Sequence, residues 1–274
     1  MKIGASFGVE KLQLYHLVAA KRIGFDFVEF YIDDFIADIT DFELQFQAIR
    51  DIMDSYDLSS IVHLPHLNTQ LISDVDLWTN YVDLMSEQIQ ILANLGITNT
   101  LVFHGVFGGT EQPKGVTPEV VADFKDTAIV EWLAISKENN IKLLLENTDE
   151  GAKHLKPVFK KYKDLGYTFD IGHANLFLHN SSEKSAEEKI DNLLRSFPKR
   201  LEHIHIHDNF GGSKEIDDKH MPIGTGNIDF VKFFNQLKKM KYNKTITLEI
   251  YNSLYQIPYL EASFKVVKEI LEDL

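Results

Sequence analysis

Short strand-like runs alternate with longer amphipathic segments eight times along the chain of 274 residues. The runs are rich in β-branched or aromatic residues, and the longer segments repeat apolar residues at the helical spacings of three and four. Such an alternation builds a parallel sheet whose strands are connected by helices. The predicted strands span residues 2–7, 27–32, 59–65, 99–107, 142–148, 167–173, 201–207 and 245–251.

Eight strand–helix units at this length predict an α/β fold of the closed (β/α)8 TIM barrel type. No linker rich in Pro, Gly or Ser separates two halves, so we expect a single domain over residues 1–274. The alternative is a doubly wound open sheet, which usually has fewer strands and a phosphate-binding glycine turn after the first strand. Only Gly4 and Gly8 lie near the first predicted strand, so the sequence lacks that turn.

The composition narrows the chemistry that such a barrel could carry. The chain contains no cysteine, which excludes disulfides, cysteine-ligated zinc, iron–sulfur clusters and thiol nucleophiles. Its formal net charge of −13 disfavours non-specific attraction to nucleic acid or to an anionic membrane. No apolar stretch approaches the ~18 residues of a transmembrane helix. The amino-terminal segment lacks the features of a secretory signal, so we expect a cytoplasmic protein with no membrane partner.

Ionisable side chains lie at the ends of six successive predicted strands, from the third to the eighth, and in the loop after the seventh. The active site of an α/β barrel lies at the carboxyl ends of its strands. Imidazole and carboxylate groups suit zinc, manganese, cobalt, iron and magnesium, so the pattern predicts a divalent metal site and leaves the metal open. The candidates are His63, His104, Glu146, Asp170, His173, His205, Asp218, His220 and Glu249.

Four of these residues come from the fifth to the eighth predicted strands. Glu146, Asp170, His205 and Glu249 could enclose one divalent ion and leave two coordination positions open. The other five candidates could complete a second and a third metal site. The number of ions per chain is therefore open at this point.

The seventh predicted strand carries three histidines that alternate with two isoleucines. A period of two places the histidines on one face of the strand and the isoleucines on the other. We expect the histidines to face the barrel interior and the isoleucines to pack under the helices. Only one histidine needs to bind a metal, and we expect His203 and His207 to be hydrogen-bonded interior histidines.

The ordered motifs HxP, FHG, LEN, DxxH, HxHD, DxHxxIGxG and LE resemble those of the xylose-isomerase-like TIM barrel superfamily. That superfamily includes sugar isomerases and epimerases, such as the tagatose epimerase and inosose isomerase types. It also includes endonuclease IV, an AP endonuclease family 2 enzyme of abasic-site DNA repair. The resemblance spans essentially the whole chain. Each motif is short, but nine residues in the right order at the right strands are specific for the superfamily.

The first function that the resemblance implies is a metal-dependent isomerase or epimerase of a sugar, a sugar phosphate or a related polyol. Glu146, Asp170, His205 and Glu249 would hold one ion, which would bind adjacent substrate oxygens and stabilise an enediolate. Glu146 and Glu249 would be the catalytic residues that remove and return the proton beside the carbonyl. His173 would contact a substrate oxygen. The partner would be a small-molecule carbohydrate.

The second function that the resemblance implies is an abasic-site DNA endonuclease with two or three zinc ions. All nine candidates would then be ligands, and a metal-bound hydroxide would attack the phosphodiester. The first zinc would be held by His63, His104 and Glu146, and the third by His173, Asp218 and His220. The second zinc would lie among Glu146, Asp170, His205 and Glu249.

Three departures from the nuclease pattern favour the sugar enzyme and make nucleic acid an unfavoured partner. The loop after the second predicted strand is acidic, so it would repel phosphate. The tyrosine–leucine wedge of the repair family is replaced by histidine and leucine, and the loop after the seventh strand holds more carboxylates than lysines. The residues concerned are Asp33, Asp34, Asp38, Asp41, His66, Leu67, Lys214, Glu215, Asp217, Asp218 and Lys219.

Each candidate also has a purely structural interpretation. The glutamates that end the fifth and eighth strands could be solvated, Asp170 could cap a helix, and His205 could be a hydrogen-bonded interior histidine. In relatives with one metal, the histidines of the third and fourth strands need not be ligands. Relatives are often dimers or tetramers, so by analogy the chain could form a homo-oligomer.

Overall fold

A computed structural model gives the fold of the chain. It describes residues 1–9, 12–32, 39–65, 75–104, 118–148, 150–176, 184–212, 217–251 and 254–274. None of the helices within these ranges is both long enough and apolar enough to cross a membrane.

Eight parallel strands pair in sequence order, and the eighth pairs with the first to close the barrel. The closing register places Lys2 beside Thr245 and Ala5 beside Leu248. Closure confirms the predicted (β/α)8 barrel and excludes the open sheet. The single domain over 1–274 stays a prediction. The strands are β1 Lys2–Gly8, β2 Phe27–Tyr31, β3 Ser59–His63, β4 Thr100–His104, β5 Lys142–Glu146, β6 Gly166–Asp170, β7 Leu201–Ile206 and β8 Thr245–Leu248.

Helices follow the strands and cover the outside of the barrel. One short helix, α6, was not predicted from the sequence. The helices of the described ranges are α1 Leu14–Ile23, α2 Ile39–Tyr56, α3 Val75–Leu95, α4 Pro118–Glu138, α5 Ala152–Lys161, α6 Ile171–Asn175, α7 Ala186–Ser196, α8 Phe230–Lys239 and α9 Gln256–Asp273.

Helix α8 shows why these segments fold as they do. The carboxylate of Asp229 caps its first turn by accepting the backbone N–H of Lys232 at 2.8 Å. Its buried residues are spaced three and four apart, which gives the helix one apolar face toward the barrel. These residues are Phe230, Phe233, Phe234 and Leu237.

Strand β6 ends earlier than the sequence predicts, and the difference shapes the site. The predicted strand runs to His173, whereas β6 ends at Asp170. The side chain of Asp170 accepts the backbone N–H of His173 at 2.6 Å and so caps α6. This cap turns the chain into a helix at once, which places both side chains at the barrel mouth.

The side chains of β7 point as the alternation predicts. Ile204 and Ile206 are fully buried in the layer between sheet and helices. His203 and His205 face the barrel interior, where both contact Glu29 of β2. The lower interior is filled by a separate apolar cluster from β2 to β5, made of Phe27, Ile61, Val102 and Leu144.

Candidate metal centre

The barrel places the nine candidate side chains around one end. His173 lies in α6, while Asp218 and His220 lie in the loop between β7 and α8. The other six come from the strands, whose carboxyl ends all meet at this end of the barrel. They are His63 of β3, His104 of β4, Glu146 of β5, Asp170 of β6, His205 of β7 and Glu249 directly after β8.

His205 Nδ1 lies among three carboxylates. It is 3.2 Å from Glu146 Oε2, 3.4 Å from Glu249 Oε2 and 3.8 Å from Asp170 Oδ2. All four side chains are buried. Each offers one ligand atom within 4.8 Å of the others, so a single ion could contact all four.

The unpaired atoms of this group test whether a metal fits. Four atoms make no hydrogen bond to any residue that the structure describes, and they are Glu146 Oε1, Asp170 Oδ2, His205 Nδ1 and Glu249 Oε2. A buried polar atom without a partner costs about 1–3 kcal/mol, and more when it is charged. Three carboxylates and one imidazole are also a donor set that divalent ions accept. These residues therefore fit a divalent metal ion.

Two further histidines contact Glu146. His63 Nε2 lies 2.9 Å from Glu146 Oε2, and His104 Nε2 lies 3.4 Å from the same oxygen. His63 Nδ1 faces the carbonyl oxygen of Leu64 at 2.9 Å, to which it can donate its hydrogen. In the neutral ring, Nε2 and the carboxylate oxygen would then be two acceptors facing each other. Only a proton or a cation between them makes that contact favourable.

The remaining three candidates form a group around Asp218. Its Oδ2 lies 3.2 Å from His173 Nε2, and its Oδ1 lies 3.2 Å from His220 Nε2. His173 Nδ1 lies 3.2 Å from Glu146 Oε1, which joins this group to the first. His220 Nδ1 lies 2.9 Å from the carbonyl oxygen of Glu249. The structure thus brings all nine candidates into one continuous cluster.

The loop that carries Asp218 and His220 is anchored by a buried carboxylate. Asp208 Oδ2 accepts the backbone N–H groups of Gly224 at 3.0 Å and Gly226 at 2.8 Å. A two-way backbone pairing joins Asp208 to Met221, with both distances 2.9 Å. A Cβ on Gly226 would clash with the side chain of Asp208, so this position requires glycine. The backbone N–H groups of Gly224 and Gly226 therefore bind a carboxylate of the same chain.

Charge pairing decides the protonation of the buried groups. Burial raises the pKa of Glu146, but the charges of His205 and His104 outweigh it and hold that pKa well below its usual value. Burial likewise raises the pKa of Asp170, while His173 and His207 lower it to about 2. These carboxyl groups are therefore ionised at neutral pH.

The histidines shift in the opposite direction. Burial lowers the pKa of His205, but the carboxylates of Glu29 and Glu146 raise it well above its usual value. The pKa of His173 is also raised well above its usual value, because Asp170 and Asp218 outweigh the effect of burial. Without a metal, protons on imidazole rings compensate the carboxylates, and a bound ion would displace them.

Sequence reasoning missed three residues that hold the ligands. Tyr251 Oη donates to Glu249 Oε1 at 2.7 Å, and its ring stacks on His220 with centroids 4.2 Å apart. Asn147 binds the backbone of Asp170 on both sides, at 2.9 and 3.0 Å. Glu29 Oε1 lies 3.0 Å from His205 Nε2. A tyrosine two residues after Glu249 and a charge within the apolar run FVEFY were the available signals.

The two other strand histidines differ from each other. His203 is hydrogen-bonded as predicted, with Nδ1 at 2.7 Å from Thr245 Oγ1 and Nε2 at 3.0 Å from Glu29 Oε2. For His207 the prediction of a hydrogen-bonded ring is wrong, because neither ring nitrogen makes a hydrogen bond to a described residue. Its Nε2 lies 3.3 Å from Asp170 Oδ1, and its ring stacks on His220 at a centroid distance of 3.8 Å. Several residues invoked against the nuclease lie outside the described residues, and they are Asp33, Asp34, Asp38, His66, Leu67, Lys214 and Glu215.

Two curated relatives match parts of the chain. An uncharacterized protein of Methanocaldococcus jannaschii is 28% identical over 248 residues, which cover 84% of this chain and 63% of that protein. Another uncharacterized protein of the same organism is 32% identical over 120 residues, or 42% of each chain. The chain thus spans less than two thirds of the length of each curated relative.

Solved structures match over nearly the whole barrel. A D-tagatose 3-epimerase-like protein has a TM-score of 0.74 at 24% identity, covering 99% of this chain and 97% of that one. A Thermus thermophilus protein soaked with zinc chloride has a TM-score of 0.73 at 22% identity, covering 100% and 99%. D-psicose 3-epimerase of Clostridium cellulolyticum H10, solved with D-tagatose, has a TM-score of 0.72 at 16% identity, covering 99% of each chain.

At identities of 24%, 22% and 16%, these structural matches show a shared fold and nothing more specific. The family model is more specific, because it describes the xylose isomerase-like TIM barrel and matches residues 17–270. The match runs from α1 to α9 and includes every candidate ligand. The chain therefore belongs to the xylose isomerase-like TIM barrel family.

Proposed function

We propose that the chain is a divalent-metal-dependent isomerase or epimerase of a sugar, a sugar phosphate or a related polyol. The observation that carries the proposal is that Glu146, Asp170, His205 and Glu249 are buried and close enough to contact one ion, and that each has an atom without a hydrogen bond from the described residues. Two of the solved structures that share the barrel are named as a D-tagatose 3-epimerase-like protein and a D-psicose 3-epimerase. These names support a carbohydrate substrate for this chain.

The four residues would hold the ion at the barrel mouth. When bound, the ion would supply positive charge against the negative charge that develops on adjacent substrate oxygens during proton removal. The zinc soak of the Thermus thermophilus protein supports zinc as one of the metals to try. Manganese, cobalt, iron and magnesium suit the same donor set.

The protons would be moved by the two glutamates. One of Glu146 and Glu249 would remove the proton from the carbon beside the carbonyl, and the other would return it. Tyr251 donates its hydroxyl to Oε1 of Glu249 at 2.7 Å and so orients this carboxylate, whose Oε2 lies 3.4 Å from His205 Nδ1. His173, on α6 beside Glu146, would contact a substrate oxygen.

Proton transfer at the carbon beside the carbonyl is the step to test. The protein is loaded with zinc, manganese or cobalt and incubated with ketopentoses, ketohexoses and their phosphates in deuterium oxide. We expect a new sugar isomer that carries deuterium beside the carbonyl. Glu249→Gln should abolish both signals. Glu202→Gln is the matched control, because Glu202 lies at the start of β7, where it pairs with Lys142 and Lys244.

A second candidate function is hydrolysis of DNA at abasic sites. The observation that favours it is the continuous contact among all nine candidates, including Asp218 between His173 and His220. Binding of two to three equivalents of zinc per chain together with nicking of abasic-site DNA would support this function. About one equivalent and no nicking would support the sugar enzyme.

A further inference from the structure

Glu29 is a buried charge in the middle of a strand. It lies in β2, in the run FVEFY, and its side chain is only 1% exposed. Burying a carboxylate costs several kcal/mol unless hydrogen bonds and opposite charges compensate it. A leucine or valine would fill a barrel interior without that cost, so the carboxylate has a role beyond packing.

The two oxygens of Glu29 have different partners. Oε1 lies 3.0 Å from His205 Nε2. Oε2 lies 3.0 Å from His203 Nε2 and accepts the hydroxyl of Thr247 at 2.5 Å. His203 is itself fixed at its other nitrogen by Thr245 Oγ1 at 2.7 Å. The carboxylate is therefore held on one oxygen and directed at His205 with the other.

The contact with Glu29 determines how His205 can act. An ionised carboxylate only accepts hydrogen bonds, so His205 Nε2 must carry the hydrogen of that contact. In a neutral ring, Nδ1 is then the nitrogen with the free electron pair. It is this Nδ1 that lies among the carboxylates of Glu146, Asp170 and Glu249.

We propose that Glu29 is the positioning residue of the metal centre, and that it holds His205 in the tautomer and orientation that bind the ion through Nδ1. The inference rests on the proposed metal site. A carboxylate behind a metal-bound histidine fixes the ring and makes its other nitrogen a stronger donor. Glu29 reaches His205 across 176 positions in the sequence, so the closed barrel is what creates the pair.

The first test measures zinc affinity by competition with a chromophoric chelator. Glu29→Gln keeps the shape of the side chain but removes its charge, and we expect zinc to bind roughly 10- to 100-fold more weakly. Glu202→Gln is the matched control, because Glu202 lies at the start of β7, where it pairs with Lys142 and Lys244. We expect its zinc affinity to stay within about threefold of the wild type, since Glu29 still holds the ring of His205.

The second test needs no variant and so does not depend on whether Glu29→Gln folds. Long-range proton–nitrogen NMR of the zinc-loaded wild-type protein, labelled with 15N-histidine, reports which nitrogen of His205 carries a hydrogen. We expect a protonated Nε2 and a metal-bound Nδ1, with the Nε2 hydrogen protected from exchange. Zinc bound through Nε2 would overturn the inference.

The two proposals fail in different ways. A wild-type protein that binds no zinc, manganese or cobalt would contradict the metal site and this inference with it. A wild-type protein that binds zinc only as tightly as folded Glu29→Gln would contradict only the positioning role. Unfolding curves followed by circular dichroism establish that each variant is folded before its affinity is compared.

Discussion

Two groups of polar and ionisable side chains lie in successive layers inside the barrel and share His205. The upper cluster consists of Glu146, Asp170, His205 and Glu249, and each of these has an atom without a hydrogen bond among the described residues. The lower network consists of Glu29, His203, His205, Thr245 and Thr247, in which both oxygens of Glu29 and both ring nitrogens of His203 are paired. Similar residue types thus serve two purposes.

His203 and His205 show the difference within one strand. Burial lowers the pKa of both rings. For His203, the attraction of Glu29 restores only part of the loss, and the pKa stays below its usual value. For His205, Glu29, Glu146 and Glu249 together raise the pKa well above that value. The lower network is complete as it stands, whereas the upper cluster needs extra positive charge, either as protons or as a metal ion.

The largest effect is expected for Glu146→Gln. Glu146 contacts His63, His104, His173 and His205, so the amide would remove the charge that joins the upper cluster to the three histidines beside it. We expect turnover to fall roughly 10³-fold, as for loss of a general base, and the bound metal to decrease. Normal metal content together with full turnover in Glu146→Gln and Glu249→Gln would contradict the proposed mechanism.

Stability without metal should separate the two groups. Breaking a buried charge pair in the lower network by Glu29→Gln should lower the free energy of unfolding by about 3 kcal/mol. Glu249→Gln removes a charge from the crowded upper cluster, so we expect a change within about 1 kcal/mol. Urea unfolding in the presence of a chelator measures both. A larger loss for Glu249→Gln than for Glu29→Gln would reverse the assignment of roles.

Metal affinity should rise with pH. The raised pKa values of His205 and His173 mean that both rings hold an extra proton at neutral pH when no metal is bound. Each displaced proton makes the apparent affinity rise about tenfold per pH unit until the pH exceeds the raised pKa. Titrations between pH 6 and 8, in buffers of different ionisation enthalpy, measure the slope and the protons released. An affinity independent of pH would contradict the extra protons on His205 and His173.

The smallest effect is expected for Tyr251→Phe. The variant keeps the ring that stacks on His220 and removes only the hydroxyl that donates to Glu249 Oε1. We expect zinc to bind about 3- to 10-fold more weakly, because Glu249 is held less firmly. The free energy of unfolding should fall by about 1.5 kcal/mol, the value of one hydrogen bond to a charged group. An unchanged zinc affinity would show that Tyr251 does not position Glu249.

The barrel and the candidate ligands could be predicted because both depend on patterns of residues that are close together in the sequence. Alternation of strands and helices indicates the fold, and the strand ends indicate where the polar side chains gather. The end of β6 was misjudged, because the apolar run continues past Asp170 while its side chain caps α6. The capping hydrogen bond outweighs the extended propensity of that run.

Contacts between residues that are far apart in the sequence could not be predicted from the sequence alone. The apolar run FVEFY of β2 contains one charged residue, Glu29. The partners of Glu29 lie at least 174 positions away in the sequence, and they are His203, His205 and Thr247. Such pairs become visible only when the barrel is closed.

The most direct test of the upper cluster is elemental metal analysis of the wild-type protein and Glu249→Gln, purified without chelators and expressed as equivalents per chain. We predict about one equivalent of a divalent metal in the wild type and a clear loss in the variant. A wild-type protein that carries no metal, and takes up no zinc, manganese or cobalt on titration, would contradict the metal centre.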